Sequence, residues 1–202
     1  ISIKLKNLKK SFIISNNYTN NIYNILASLA VIGIYINIAK LSKNIFSNFK
    51  IPNGRGNLSK IKINGKKINL IDESYNSNPL SLKTAIVNFD KLNSKASKKY
   101  LLLGDMLELG HRAKEFHQEI AQLDSINCFN KIHCVGSLMR NLYNELPASK
   151  KGLLVKSPSE LIDYLFKHIK DRDVYIIKGS NSIGLSFLVT ELCKLDGQII
   201  SR

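Results

Sequence analysis

Ile71-Asp72-Glu73-Ser74-Tyr75-Asn76-Ser77-Asn78-Pro79 closes a hydrophobic, strand-like run in acids and amides and then opens a helix. Ile68, Leu70 and Ile71 supply the buried part of the strand. Asn78 followed by Pro79 offers an N-cap side chain and a first helical residue that needs no backbone donor. Polar side chains at the carboxyl end of such a strand face the crevice where open α/β sheets bind ligands. A carboxylate there accepts hydrogen bonds from ribose hydroxyls, and Asn side chains both donate and accept. The same stretch also reads as an ordinary polar strand-to-helix turn, so the rest of the chain must decide between the two.

From Lys60 onward, strand-like and helix-like segments alternate, the pattern of a parallel sheet with crossover helices. Strands are expected at 61–63, 67–71, 100–103, 132–135, 153–156 and 174–177. Leu82, Ala85, Ile86 and Phe89 recur at helical spacing, as do Ala113, Phe116 and Ile120, and their helices would cover the sheet. Ser157-Pro158-Ser159-Glu160 reads as a capping box with Pro at the first helical position. Asn64-Gly65 between two short hydrophobic runs reads as a hairpin turn, which makes the strand at 61–63 an antiparallel addition. The first fifty residues differ: a short strand at 11–14, one long apolar helix at about 21–39 and a polar stretch do not easily form a core of their own. Pro52-Asn53-Gly54-Arg55-Gly56 reads as a linker. Residues 1–51 are therefore expected to be the tail of a preceding domain, and 52–202 the main domain.

A chain of 202 residues with 44% hydrophobic content can bury one good core, and a soluble globular protein is expected. The net charge of +15 could indicate an anionic partner. The lysines are scattered, however, without an Arg-rich or aromatic-interleaved stripe, and the richness in Lys, Asn and Ile fits an AT-rich coding bias. Nucleic acid is therefore not expected as a partner. Cys128, Cys134 and Cys193 form no CxxC pair, as for thiols in a reducing cytoplasm, the expected location. His111, His117, His133 and His168 show no metal-ligand spacing, and His117 falls in register with Ala113, Phe116 and Ile120 as a core-edge residue. The apolar run 25–36 is shorter than the roughly 20 residues of a membrane-spanning helix, and the amino terminus lacks the pattern of a signal peptide. The only methionines are Met106 and Met139, which suggests a fragment of a longer protein.

Several motifs in order resemble the Mur ligase family, in particular the branch that adds D-alanyl-D-alanine to UDP-N-acetylmuramoyl-tripeptide. Asn20-Asn21-Ile22-Tyr23-Asn24 is similar to the family's HNxxN helix at the end of the central ATPase domain. Gly54-Arg55-Gly56 is similar to the GRG that joins the central and C-terminal domains. Ile71 to Pro79 resembles IDDSYNANP, Gly104-Asp105-Met106-Leu107-Glu108-Leu109-Gly110 matches GDMLELG, and Lys178-Gly179-Ser180-Asn181-Ser182 resembles KGSRSM. The resemblance implies a Rossmann-like C-terminal domain, mostly parallel with flanking helices, preceded by a helical remnant of the central domain.

It also implies an activity. Enzymes of the family transfer the γ-phosphate of ATP to a substrate carboxylate, and an incoming amine attacks the acyl phosphate to form an amide; the cofactors are ATP and Mg2+. Residue by residue, the resemblance places Asn21, Asn24, Arg55, Asp72, Glu73, Tyr75 and Asn76 at the nucleotide, and Asp105, Glu108, Lys178 and Ser180 at the other substrates. The family's ribose-binding carboxylate falls at Glu73, where Asp is usual, with Asp72 the nearest substitute. Asn20 and Asn181 also depart, standing where the family has His and Arg. The chain contains no GxxxxGK[ST] loop, so the metal ligands are expected upstream, and the fragment alone is expected to make no peptide bond. A monomer is expected. The competing reading is a catalytically inactive nucleotide- or dipeptide-binding module derived from such a ligase.

Overall fold

The computed structural model describes residues 2–5, 8–14, 19–48, 52–90 and 98–196, and divides the chain into two compact units, 1–52 and 53–202. In the first unit, β1 (Ser2–Leu5) and β2 (Leu8–Ser11) pair antiparallel and precede α1 (Thr19–Tyr35). The strand expected at 11–14 lies earlier: β2 ends at Ser11, and Ile14 contributes only an isolated bridge to Phe46. The helix expected to reach residue 39 stops at Tyr35. There the Asn37 side chain accepts from the Ala39 amide at 3.0 Å and starts a separate 3-10 turn, Ile38–Lys40, as Asn does when it competes with helical hydrogen bonding. Contrary to expectation, this unit has a small core, in which Phe12, Ile25, Leu29 and Ile38 are buried and Phe46 packs edge-on against Phe12.

The second unit is a six-stranded sheet of β3 (Asn57–Ile63), β4 (Lys66–Glu73), β5 (Lys99–Gly104), β6 (Lys131–Val135), β7 (Lys151–Val155) and β8 (Val174–Lys178), in the order β3-β4-β8-β5-β6-β7. The Asn64-Gly65 turn, with φ of 48° and 79°, returns β4 antiparallel to β3, and all other pairings are parallel. The mostly parallel α/β architecture thus follows the sequence reading. On one face lie α2 (Pro79–Asp90), α3 (Ala113–Ala121) and α4 (Met139–Glu145), burying Leu82, Ala85, Ile86, Phe89 and Ile120 with Leu101 and Leu103. On the other lie α5 (Ser159–His168) and α6 (Leu185–Lys194), which bury Leu161, Leu165, Leu188 and Leu192 against Leu70, Leu102 and Ile177.

Two helix starts explain their own positions. Asn78 Oδ1 accepts from the Ser81 amide at 2.8 Å, while Ser81 Oγ accepts from the Asn78 amide at 3.0 Å, a reciprocal cap with Pro79 just inside. At α5 only half of the expected capping box forms. Glu160 Oε1 accepts from the Ser157 amide at 2.9 Å, but Ser157 Oγ turns to Ser159 and Glu160 rather than to a helix amide.

One buried histidine lies away from the strand ends. His133 on β6 accepts the Leu153 amide at Nδ1 (3.1 Å), which leaves the proton on Nε2, without a partner among the described residues. Burial, with Lys131 and His168 nearby, pulls its pKa down to about 4.

Candidate functional site

β8 enters the sheet between β4 and β5, and the connecting helices change face there, so a crevice opens beyond the carboxyl ends of these three strands. The alternation of β4 decides which acid faces where. Ile68 and Leu70 point into the core under α5 and α6 and Ile71 into the other. Asp72 therefore continues the first face and Glu73 the second.

Glu73 lies opposite Lys178 in the β4–β8 register, and Lys178 Nζ donates to Glu73 Oε2 at 3.3 Å. Both side chains are buried, at 9% and 3% exposure, and Nζ also donates to the Asn76 carbonyl at 2.7 Å. Burial pulls the Lys178 ammonium below the ordinary lysine value, and Glu73 offsets part of that shift. The pair ties the strand ends together and holds the 74–78 loop by its backbone.

Asp72 is held differently: Oδ1 accepts from the Ser74 amide at 3.0 Å, and the side chain lines a cleft of about 590 Å3. The cleft runs between α6 (Ser186, Thr190, Cys193) and the start of β3 (Asn57, Ser59), with Gly54, Ser74, Tyr75 and Asn181 at its strand-end side. The segment expected to be a linker forms part of this wall from Asn53 on. Gly56 donates to the Asp72 carbonyl at 2.7 Å, and Tyr75 donates to the Gly54 carbonyl at 3.1 Å. Gly54 has φ of +77°, and a Cβ there would sit 2.8 Å from the Tyr75 nitrogen, so only Gly lets the two backbones approach. This docking places the Arg55 guanidinium 4.1 Å from the Tyr75 ring centroid, a cation–π contact between exposed side chains.

The Gly104–Gly110 loop is pinned from three sides. Asp105 is buried, and its oxygens accept the Leu138 and Met139 amides at 3.1 and 2.7 Å at the start of α4. Gly136, at φ +110°, passes so close to this carboxylate that any Cβ would collide with it. His117 accepts the Met106 amide at Nε2 (3.0 Å), which fixes Nδ1–H as the donor to the Ala113 carbonyl. Ser180 Oγ accepts the Leu107 amide at 2.9 Å. Glu108 is exposed at a left-handed φ of +61° and borders a second cleft, of about 350 Å3, with Tyr75, Asn76, Leu107, Ser180, Asn181 and Ser182. Tyr75 and Asn181 line both clefts, so the two share a wall.

The structure thus gathers Arg55, Asp72, Glu73, Tyr75, Asn76, Asp105, Glu108, Lys178 and Ser180 at one edge of the second unit. Asn21 and Asn24 lie on α1 in the first unit; Asn24 is exposed, and the Asn21 side chain lies outside the described residues. Sequence reasoning did not select Asn57, Ser59, Ser186 or Thr190 for the larger cleft, because only the strand order brings β3 and α6 beside Asp72. Among the described residues no three His, Cys, Asp or Glu side chains group as metal ligands.

Residues 56–181 match the Mur ligase, glutamate ligase domain family. The chain belongs to the Mur ligases. Among curated relatives of the family, it is similar to the UDP-N-acetylmuramoyl-tripeptide--D-alanyl-D-alanine ligase of Bacillus subtilis, at 32% identity over 66% of this chain and 28% of the relative. The Rickettsia prowazekii enzyme of the same name matches at 26% identity over 87% of this chain and 37% of the relative. The chain therefore spans about a third of the length of these relatives. In fold it resembles the MurF ligase of Thermotoga maritima in complex with ADP, with TM-score 0.71 and 22% identity over 93% of this chain and 41% of that one. A MurF structure from Acinetobacter baumannii gives TM-score 0.75 and 18% identity over 96% of this chain and 42% of that one.

Proposed function

We propose that this chain is the nucleotide-closing and amine-binding part of an ATP-dependent ligase that joins D-alanyl-D-alanine to UDP-N-acetylmuramoyl-tripeptide. Residues 1–51 would end its central domain and 52–202 form its C-terminal domain. In the reaction, a tripeptide carboxylate oxygen takes the γ-phosphoryl group and ADP leaves. The dipeptide nitrogen then attacks the carbonyl carbon, the C–O bond to phosphate breaks, and a proton leaves the nitrogen. Such chemistry rests on positioning and charge stabilisation. This chain's share is positioning, and by itself it would form no peptide bond.

The observation that carries the reading is the pair of clefts sharing the Tyr75–Asn181 wall at the strand ends, one bordered by Asp72 and the other by Glu108. A nucleotide fits the first, beside the Arg55 fork and the Tyr75 ring. An amine fits the second, where the Glu108 carboxylate can accept its hydrogen bonds. Lys178 and Asp105, engaged by Glu73 and by two amides, position these clefts rather than meet a substrate. No step here runs through a metal held by the described residues.

The test is product formation by the complete gene product, read by mass spectrometry with ATP, Mg2+, UDP-tripeptide and D-alanyl-D-alanine. The expected outcome is a pentapeptide product and release of ADP that needs all three substrates. ADP release indifferent to the dipeptide, or an amide formed with another amine in preference to it, would overturn the reading.

A further inference from the structure

Glu108, at the border of the smaller cleft, has a φ of +61°, which an L side chain adopts only at a cost. Such a conformation persists where the surroundings fix it. Its neighbours supply part of the anchorage: the Met106 side chain is fully buried and Leu109 packs against the same core, which leaves Glu108 exposed between them. The two amides that precede Glu108 are each taken up by a side chain from elsewhere. Leu107 donates to Ser180 Oγ at 2.9 Å, and Met106 donates to His117 Nε2 at 3.0 Å. His117 lies on α3, the helix into which the loop leads, so its ring closes this segment back on itself. The ring is wholly buried and borders neither cleft, and its other nitrogen, Nδ1, donates to the Ala113 carbonyl at 2.6 Å. A substrate does not reach such a ring, so whatever it contributes to binding must pass through the loop.

We propose that His117 is a positioning residue for the amine substrate: by fixing the Met106 amide it holds the loop in the left-handed path that turns the Glu108 carboxylate to the smaller cleft, as Ser180 does at Leu107. The inference rests on the amine reading above and deepens it. A histidine suits the task for a physical reason. The bond from Nδ1–H to Ala113 keeps Nε2 free of a proton and ready to accept, and an amide buried without an acceptor is costly, so the loop does not readily leave it.

The test is steady-state ligation by the complete protein, unsubstituted and as His117→Asn, His117→Gln and Ser180→Ala, with a melting curve for each. The KM is measured separately for D-alanyl-D-alanine, ATP and UDP-tripeptide. Gln can place an acceptor oxygen where Nε2 lies, whereas Asn is a methylene shorter and leaves the Met106 amide unmet. His117→Asn should raise the dipeptide KM about 10-fold, the loss typical of a hydrogen bond to a charged group, and move the other two by no more than about 2-fold. His117→Gln should recover most of that rise. In a Glu108→Gln background His117→Asn should add little to the dipeptide KM, because both changes act on one contact. A residue that only supports the fold would instead lower kcat with the folded fraction and leave all three KM values in place. An unchanged dipeptide KM in folded His117→Asn, an equal rise for all three substrates, or an undiminished effect in Glu108→Gln overturns the inference. Should His117→Asn not fold, Ser180→Ala must show the same selective rise and the same loss of it in Glu108→Gln, and its failure to do so overturns the inference equally. Any of these results in an active enzyme leaves the ligase reading standing, whereas an unsubstituted protein that forms no amide with the dipeptide overturns both.

Discussion

Two strand-end loops in this domain use their acids in parallel ways. After β4, Glu73 and Asp72 are both buried and Asp72 borders a cleft; after β5, Asp105 is buried and the exposed Glu108 borders the other cleft. They differ in what neutralises the buried carboxylate. Glu73 meets one ammonium across a strand pair, whereas Asp105 meets two backbone amides at the start of a helix. A cation can be removed by a single substitution, but amides cannot. The first loop should therefore be the more fragile.

The sharpest way to break this comparison is Lys178→Met, which leaves Glu73 buried without its ammonium. A destabilisation of about 3–5 kcal/mol is expected by chemical denaturation, with most of it recovered when Glu73→Leu is added. A single substitution costing under about 1 kcal/mol would show that the pair does not anchor the loop.

His133 supplies the contrasting case of a buried titratable group with half its hydrogen bonding unmet. Its folded pKa, about 4, lies below the ordinary 6.5, so between these values the unfolded chain binds more protons and stability falls as the pH falls. At about 1.4 kcal/mol per unit the loss is about 3 kcal/mol, complete near pH 4 and absent above pH 7. Denaturation midpoints across that range should lose this part of their slope in His133→Gln; an unchanged slope would assign it to other groups.

For the second loop, Asp105→Asn turns an acceptor into a donor facing an amide. The expected cost is about 2 kcal/mol, smaller than for Lys178→Met, measured in the same denaturation experiment. Equal costs would erase the difference between the loops. The smallest effect is expected from Glu108→Gly. It relieves a left-handed residue, raising stability by about 1 kcal/mol, while it removes the carboxylate from the cleft and raises the KM for D-alanyl-D-alanine in the complete protein. A variant both more stable and unchanged in KM would take Glu108 out of the amine site.

Much of this fold was legible locally. The apolar runs of β4, β5, β6 and β8, the Asn64-Gly65 turn and the Asn78-Pro79 helix start each carry their own signal. The insertion of β8 between β4 and β5 carries none, since strand order is set by packing across the whole sheet. That insertion is what sets Lys178 beside Glu73. Which way Asp72 and Glu73 point was hidden for a related reason. β4 is buried on both faces, so Leu70 and Ile71 read as a continuous apolar run that conceals the phase of the alternation. The 3-10 turn at Ile38 was missed because one Asn side chain outweighed an otherwise continuous apolar pattern.

Glu73 and Lys178 hold the loop after β4 from inside the sheet. The most direct measurement is a double-mutant cycle of Lys178→Met and Glu73→Leu by chemical denaturation. A coupling of about 2 kcal/mol or more is expected, because each single substitution leaves a buried group without its partner and the double one does not. Costs that simply add would contradict the pairing.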